Sequence, residues 1–399
     1  MIDAKRVKVL GVLGYNFGWH LLRSLIPHKK ENQAGKFKGY FQKDWITAFT
    51  KEEIELVYNF SNCTVCGLCP VACLPGRMSR GSFLGPEHLA ACAGRSQPEY
   101  IYDRDDFFRC TLCAGCEPAC PEQVKISEIA WLMRKWVYRV EPSQIWSLFP
   151  EFKKNLDQFG NPFGKEKTVP GKSGFAPEAG RAFDHNKRAL FLGCREMVKG
   201  EPEKWMAFAQ KIGIQAELIT GVCCGGFLEE IGAEKIAPGL EKLISANPQE
   251  VITVCPHCFY RLSRKLPNAI RVKFILELIP ENVSGKPGAN TGRAMYHDPC
   301  FLGRRMGMMD LPRNIIKQLG YELLEFSRSK ELAECCGGGG GLPWYDPEMA
   351  ARISKQRVSE AKKLGAKMII TECGLCRELM QKAGEEDKIE VKRLTELLF

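Results

Sequence analysis

Eighteen of the nineteen cysteines in this 399-residue chain fall into patterned groups, and thiolates at such spacings chiefly hold metal. Cys63-x2-Cys66-x2-Cys69-x3-Cys73 and Cys110-x2-Cys113-x2-Cys116-x3-Cys120-Pro121 have the rhythm of a two-cluster ferredoxin. Three thiolates in one loop take three corners of a cubane, and the fourth cysteine of each run ligates the other cluster. Cys63, Cys66, Cys69 and Cys120 are therefore assigned to one [4Fe–4S] cubane. Cys110, Cys113, Cys116 and Cys73 are assigned to the second. Zinc ribbons are the competing reading, but they use paired C-x2-C units rather than two runs of four.

The other ten cysteines form two sets that each read C…CCGG…C-x-x-C. The first is Cys194, Cys223, Cys224, Cys255 and Cys258; the second is Cys300, Cys335, Cys336, Cys373 and Cys376. Five thiolates about one centre suggest a cluster with more than four protein ligands. The glycines Gly337 to Gly341 let backbone approach closely and aim N–H groups at sulfide. No Gly-Lys-Ser/Thr follows them, so a phosphate-binding loop is set aside. Cys255-Pro-His-Cys258 also has the form of a thioredoxin-type dithiol, yet the sister unit carries Cys373-Gly-Leu-Cys376 at the same place. His257 reads as a group beside the cluster. His297 reads as a structural hydrogen-bonding group, with proton donation to a departing thiolate as its alternative. Cys92, the one cysteine left over, reads as an inert buried thiol.

The elements that must position these residues follow from an internal duplication. Leu190–Cys194 matches Met295–Cys300, Cys223–Gly226 matches Cys335–Gly338, and Val251–Cys258 matches Met368–Cys376. Short apolar runs alternate with helical patterns, such as those opened by Pro312 and Pro347 and stopped by Gly320 and Gly365. The fold class is therefore α/β, with cysteines at strand ends. Five blocks are expected: an N-terminal basic arm at 1–60, a helical ferredoxin domain at 61–140, a wrapping linker at 141–187, and cysteine-rich units at 188–285 and 292–399. The ferredoxin block ends in a helix with Ser127 as N-cap and Ile129, Leu132, Met133, Trp136, Val137 and Val140 on one face.

Apolar residues at 45% and charged residues at 26% exclude a disordered or fibrous chain. The length and the cysteine grouping exclude a secreted disulfide scaffold and point to a reducing compartment. The stretch from Val9 to Pro27 is too short and too polar for a spanning helix or a signal peptide. Residues 1–43 carry nine Lys or Arg against Asp3 and Glu31, which is +7 of the chain's formal +10. With Tyr15, Phe17 and Trp19 interleaved, this arm suits an acidic partner or a membrane surface. Nucleic acid is not expected, since no recognition module accompanies the charge.

The first eight cysteines, with the long connection between their runs, resemble the helical ferredoxin domain of the iron–sulfur subunits of succinate dehydrogenase and fumarate reductase. Leu74 stands where that pattern has proline after the fourth cysteine, and the two-iron domain of those subunits is absent. Together with the duplicated sets and Asn161-Pro-Phe-Gly164, the chain from about residue 50 onward resembles the D-type subunit of heterodisulfide reductase, a CCG-domain family. Related chains are iron–sulfur subunits of glycolate, lactate and anaerobic glycerol-3-phosphate dehydrogenases.

The resemblance implies non-cubane [4Fe–4S] clusters in one or both five-cysteine sets, with zinc in one of them as the alternative. It implies an electron-transfer oxidoreductase subunit that passes single electrons through two cubanes to sites that reduce a disulfide. One alternative is a relay between a flavoprotein dehydrogenase and a quinone. Another is a scaffold stabilised by zinc. The expected partners are other oxidoreductase subunits, with a flavoprotein and a membrane or quinone-linked component among them. The expected location is cytoplasmic, peripheral to the membrane. No flavin or nicotinamide fingerprint occurs, so hydride chemistry is left to another protein of the complex.

Overall fold

The computed structural model describes residues 4–24, 35–36, 39, 49–94, 100–167, 188–233, 237, 239–280 and 292–398. Two compact units emerge, Met1–Thr47 and Ala48–Phe399. In the first, Ala4–Ser24 is a helix whose large apolar side chains from Leu10 to Leu22 are exposed. No helix among the described residues is long and apolar enough to cross a membrane. Much of the basic arm, and the Val169–Gly174 part of the expected linker, lie outside the described residues.

The second unit begins with short helices. Lys51–Phe60 opens with a capping box in which Thr50 Oγ1 accepts from Glu53 N and Glu53 Oε2 accepts from Thr50 N at 2.8 Å. Pro86–Ala93 and Arg104–Arg109 then pack against the long helix Ile126–Val140, whose Ile129, Leu132, Met133, Trp136 and Val137 are fully buried. Ser127 is not the N-cap of that helix. It lies one residue inside, and its N–H and hydroxyl both donate to Glu117, a carboxylate that sits by the helix N-terminus. Two further helices, Pro142–Leu148 and Pro150–Phe159, occupy the start of the stretch expected as linker. Their Ile145 and Phe152, with Phe149 between the two helices, join a core that continues into Phe227, Leu228, Leu342 and Met349.

The remainder is two four-stranded parallel sheets with helices between the strands, an α/β architecture that fits two duplicated units. β1 (Arg188–Phe191), β2 (Ala216–Leu218), β3 (Glu250–Thr253) and β4 (Arg271–Phe274) lie in the order β2-β1-β3-β4. β5 (Arg293–Tyr296), β6 (Glu322–Leu324), β7 (Met368–Thr371) and β8 (Glu390–Arg393) repeat it as β6-β5-β7-β8. Central strands such as β3 are buried throughout, as parallel strands covered on both faces must be. Side chains of both sheets, among them Leu190, Ile252, Tyr296 and Ile370, share one apolar cluster.

Two buried arginines join the parts. Arg134 donates to the carbonyls of Phe107 and Cys110 in its own block, of Glu230 in the first α/β unit and of Gly340 in the second. Arg393 donates to Glu372 in its own unit and to Glu196 and the Val254 carbonyl in the other.

Glu53 supplies a stability test away from every cysteine. Burial alone would raise its pKa, but Arg139 at 2.7 Å, Lys135 at 2.5 Å and the Thr50 N–H outweigh burial and hold it down to about 2. Its contribution is thus present above the ordinary carboxylate pKa and lost as pH falls from about 4.5 toward 2. Glu53→Gln should cost about 2–3 kcal/mol at pH 7 in denaturant unfolding, and the difference from wild type should shrink steadily below pH 4.5.

Candidate metal and substrate site

The two ferredoxin-type loops share an unusual backbone. Val65 and Gly67 flank Cys66 with φ of 55° and 75°, and Leu112 and Ala114 flank Cys113 with φ of 54° and 57°. A non-glycine residue in the left-handed region is costly, a β-branched one most of all, and its recurrence in both loops marks a constraint that winds the chain about a centre.

Thiols of the two loops lie near one another. Cys69 lies beside Cys63 and Cys120, with Cys66 exposed on the same loop. Cys73 lies beside Cys110 and Cys113, and the four thiols of Cys73, Cys110, Cys113 and Cys116 line one small cavity. Gly76 N donates to Cys73 Sγ at 3.3 Å, Gly115 N to Cys113 Sγ at 3.4 Å and Val124 N to Cys120 Sγ at 3.3 Å. None of the described cysteines is in a disulfide. Burial pushes Cys69 up to about 12 and Cys110 up to about 11, and raises Cys73 and Cys116 further. Thiols so placed become thiolates only around a cationic centre, so the donor set fits an iron–sulfur cluster.

Both five-cysteine sets sit at the carboxyl ends of the parallel strands. Cys194 follows β1, Cys223 and Cys224 follow β2, and Cys255 and Cys258 follow β3; Cys300, the Cys335–Cys336 pair and Cys373–Cys376 follow β5, β6 and β7. Crossovers leave β1 and β3, or β5 and β7, in opposite directions, which opens a crevice above each pair. In the first set Cys258 Sγ lies 3.4 Å from Cys224 Sγ, Cys223 meets Cys194 and Cys224, and Cys255 meets Cys258. In the second, Cys336 Sγ lies 3.1 Å from Cys376 Sγ and Cys373 meets Cys376.

The sets are not equivalent. Cys335 touches Cys336 but also turns toward Cys113, with its Sγ 3.3 Å from Thr111 Oγ1, and joins the cavity lined by Cys73, Cys110, Cys113 and Cys116. The glycine run explains how. Gly337 N and Gly338 N donate to the thiols of Cys335 and Cys336 at 3.2 and 3.4 Å. A Cβ on Gly339 or Gly340 would overlap the carbonyl oxygen of Thr111 or Cys110. The later glycines therefore serve close approach to the ferredoxin loop, where the sequence suggests N–H groups aimed at sulfide.

The other nine cysteines of the two sets line one cavity of about 110 Å³. The rest of its wall is largely apolar, with Phe163, Phe227, Phe301, Trp344 and Leu375, and also carries Arg195 and Glu196. Phe163 comes from Asn161-Pro-Phe-Gly164: the buried Asn161 side chain accepts from Phe163 N and Gly164 N at 2.9 and 3.0 Å and so fixes a tight turn. His257 stacks on Phe301 with centroids 4.1 Å apart, and the sister position is Leu375. Glu230 also lines the cavity. Its Oε1 is 3.8 Å from His257 Nε2, and burial pushes its carboxyl up to about 7. Sequence patterns give no sign of Glu230; only its place in the helix Gly226–Glu230, directly after the Cys-Cys-Gly-Gly turn, hints at it.

His297 donates its backbone N–H to the Ile370 carbonyl at 2.8 Å, and its ring lies near Cys336 and Cys376. Burial holds its pKa down to about 3, so the ring is neutral. Cys92 is buried, as expected, but has polar company in His88 and Asp103.

Comparison with known proteins bears on the same residues. The family profile described as CCG, cysteine-rich domain, matches residues 294–381. The chain is similar to the EtfAB:quinone oxidoreductase of Syntrophomonas wolfei, 27% identical over 75% of this chain and 47% of that protein. It is similar to the D-type subunit of the dihydromethanophenazine:CoB–CoM heterodisulfide reductase of Methanosarcina barkeri, 26% identical over 78% of this chain and 80% of that one. It is similar to a fumarate reductase (CoM/CoB) subunit of Methanothermobacter marburgensis, 26% identical over 74% of this chain and 61% of that one. The chain thus spans about half the length of the first of these and four-fifths of the second.

The crossed arrangement makes a distinctive prediction. In EPR spectra of the dithionite-reduced protein, Cys120→Ser should lose the same signal as Cys66→Ser, and Cys73→Ser the same signal as Cys113→Ser. A Cys120→Ser spectrum matching that of Cys113→Ser would contradict the crossing.

Proposed function

We propose, taking this chain as an iron–sulfur oxidoreductase subunit of the heterodisulfide-reductase-like type with a CCG domain, that it delivers electrons to a disulfide in the cavity between its two α/β units. The observation that carries this reading is the cavity itself: nine cysteines of the two sets line it, and the tenth, Cys335, lies against Cys113. Cys63, Cys66, Cys69 and Cys120 would hold one cubane, and Cys110, Cys113, Cys116 and Cys73 the other. The two five-cysteine sets would hold non-cubane clusters. Clusters at these four places would supply single electrons.

The chain's own residues do the rest. Splitting a disulfide consumes two electrons and two protons, breaks the S–S bond and leaves two thiols. Phe163, Phe227, Phe301 and Trp344 exclude water and give the two sulfurs an apolar bed. Cys335 and Thr111 hold the second ferredoxin loop against the second set, so electrons are expected on that side first. Glu230 holds a proton near neutral pH within reach of His257. The groups that face it are the Arg134 guanidinium, His257 and Cys224.

A second reading is a relay with no substrate of its own, between a flavoprotein and a quinone. The name of the Syntrophomonas relative, EtfAB:quinone oxidoreductase, favours it. Co-purification with a flavoprotein and no thiol–disulfide turnover would select this reading.

Two variants test the first reading. Replacing Cys224 or Cys336 by Ser should abolish disulfide reduction while the EPR signals of the ferredoxin loops persist; retained turnover would sink it. Glu230→Gln should slow turnover about 10²-fold. Wild-type turnover should decline above about pH 7, where Glu230 gives up its proton, and the variant should lack that limb.

A further inference from the structure

Away from the two α/β units, four side chains of a different kind converge. His88 and Cys92 lie one turn apart on one face of the helix Pro86–Ala93. Asp103 immediately precedes the helix Arg104–Arg109, and Asp106 lies in its first turn. Cys92 is fully buried, and the side chains of His88, Asp103 and Asp106 are only 18, 16 and 13% exposed.

Ligand atoms of His88, Cys92 and Asp103 all lie within 4.8 Å of one another, close enough to share an ion, and Asp106 lies beside His88. His88 Nε2 lies 3.2 Å from Asp103 Oδ1, 3.4 Å from Cys92 Sγ and 3.7 Å from Asp106 Oδ2, and Cys92 Sγ lies 3.2 Å from Asp103 Oδ2. A tetrahedral zinc ion with bonds of about 2.0–2.3 Å to N, O and S has ligand-to-ligand edges of about 3.3–3.7 Å. One imidazole nitrogen faces a thiol and two carboxylates at once. Without an ion the Cys92 thiol donates to Asp103 Oδ2 and the imidazole serves Asp103 Oδ1; the same N, S and O atoms are close enough together to share a cation. A cation among them would take the lone pair of His88 Nε2, the Cys92 thiolate and the Asp103 carboxylate together. Asp106, beside His88, is held by its other oxygen, Oδ1, which accepts from Leu84 N at 2.8 Å.

We infer that His88, Cys92 and Asp103 form a mononuclear site for a divalent transition metal, zinc by the mixed N, S and O donor set, separate from the iron–sulfur clusters. Two first-row alternatives are less suited: manganese prefers all-oxygen sites, and copper favours planar nitrogen-rich ones. Three protein ligands leave one tetrahedral position for a water, and they come from two different helical segments. The ion would clamp the helix carrying His88 to the helix that runs directly into Cys110, and so hold the second ferredoxin loop in place. This site stands whether or not the cavity between the α/β units takes a disulfide.

The test uses the full chain, purified anaerobically after growth with zinc supplied, with zinc and iron measured together and the zinc K-edge absorption recorded. The expected result is about one zinc per chain with one sulfur and three nitrogen or oxygen neighbours. Cys92→Ser should remove the sulfur neighbour, and His88→Gln with Asp103→Asn should remove the zinc while the iron content stays unchanged. The variants' iron content also reports that they have folded. A chain full of iron but without zinc would overturn the inference. So would zinc with an all-sulfur shell that survives His88→Gln with Asp103→Asn, because that zinc would belong to the five-cysteine sets.

Discussion

The rest of the structure depends on one buried cation. The Arg134 guanidinium is satisfied by main-chain carbonyls drawn from the ferredoxin block and from both α/β units, with Phe108 packed on its face at 4.8 Å. Burial lowers its pKa to about 10, which still leaves it charged at neutral pH. A buried charge is tolerated only where its hydrogen bonds are complete, so the three contributing segments cannot separate without exposing a large desolvation penalty. The carbonyl of Cys110 is one of its partners, and the carbonyl of Glu230 is another. One side chain therefore ties a metal-binding loop to the helix that carries the proposed proton donor.

The parallel sheets impose a second constraint. Each places its cysteines in the crevice where the strand order reverses, and the shared apolar cluster of the two sheets holds the crevices together above one cavity. Duplication gives approximate symmetry, and the departures from it carry the direction of the system. Cys335 leans toward Cys113 whereas its counterpart Cys223 leans toward Cys194. His257 and Glu230 line one half of the cavity, and Leu375 occupies the position equivalent to His257 in the other. On the proposed function, electrons and protons would approach from different sides of one largely apolar space.

Much of this is legible in the sequence because cysteine spacing is itself the constraint. The C-x2-C-x2-C-x3-C runs, the two C…CCGG…C-x-x-C sets and the α/β alternation all correspond to elements of the structure. What is not legible depends on contacts between distant segments. Ser127 has the residue type of an N-cap but is drawn to Glu117 instead. The glycines after Cys336 look like anion-binding backbone and act partly as clearance for the Thr111 carbonyl. The Asn161–Gly164 turn is visible as a turn, while its delivery of Phe163 to the cavity is a tertiary fact. Cys92 shows the same limit: as a lone cysteine it reads as inert, and only folding brings His88 and Asp103 around it.

The central claim is that all eighteen patterned cysteines hold iron. Iron and acid-labile sulfide per chain, determined on protein purified without oxygen, test it most directly. The account predicts about sixteen of each, four four-iron clusters, with zinc not exceeding about one. About eight irons, with two or more zinc ions in an all-sulfur environment, would contradict it, because the two five-cysteine sets would then be structural and the cavity between them would have no electrons to give.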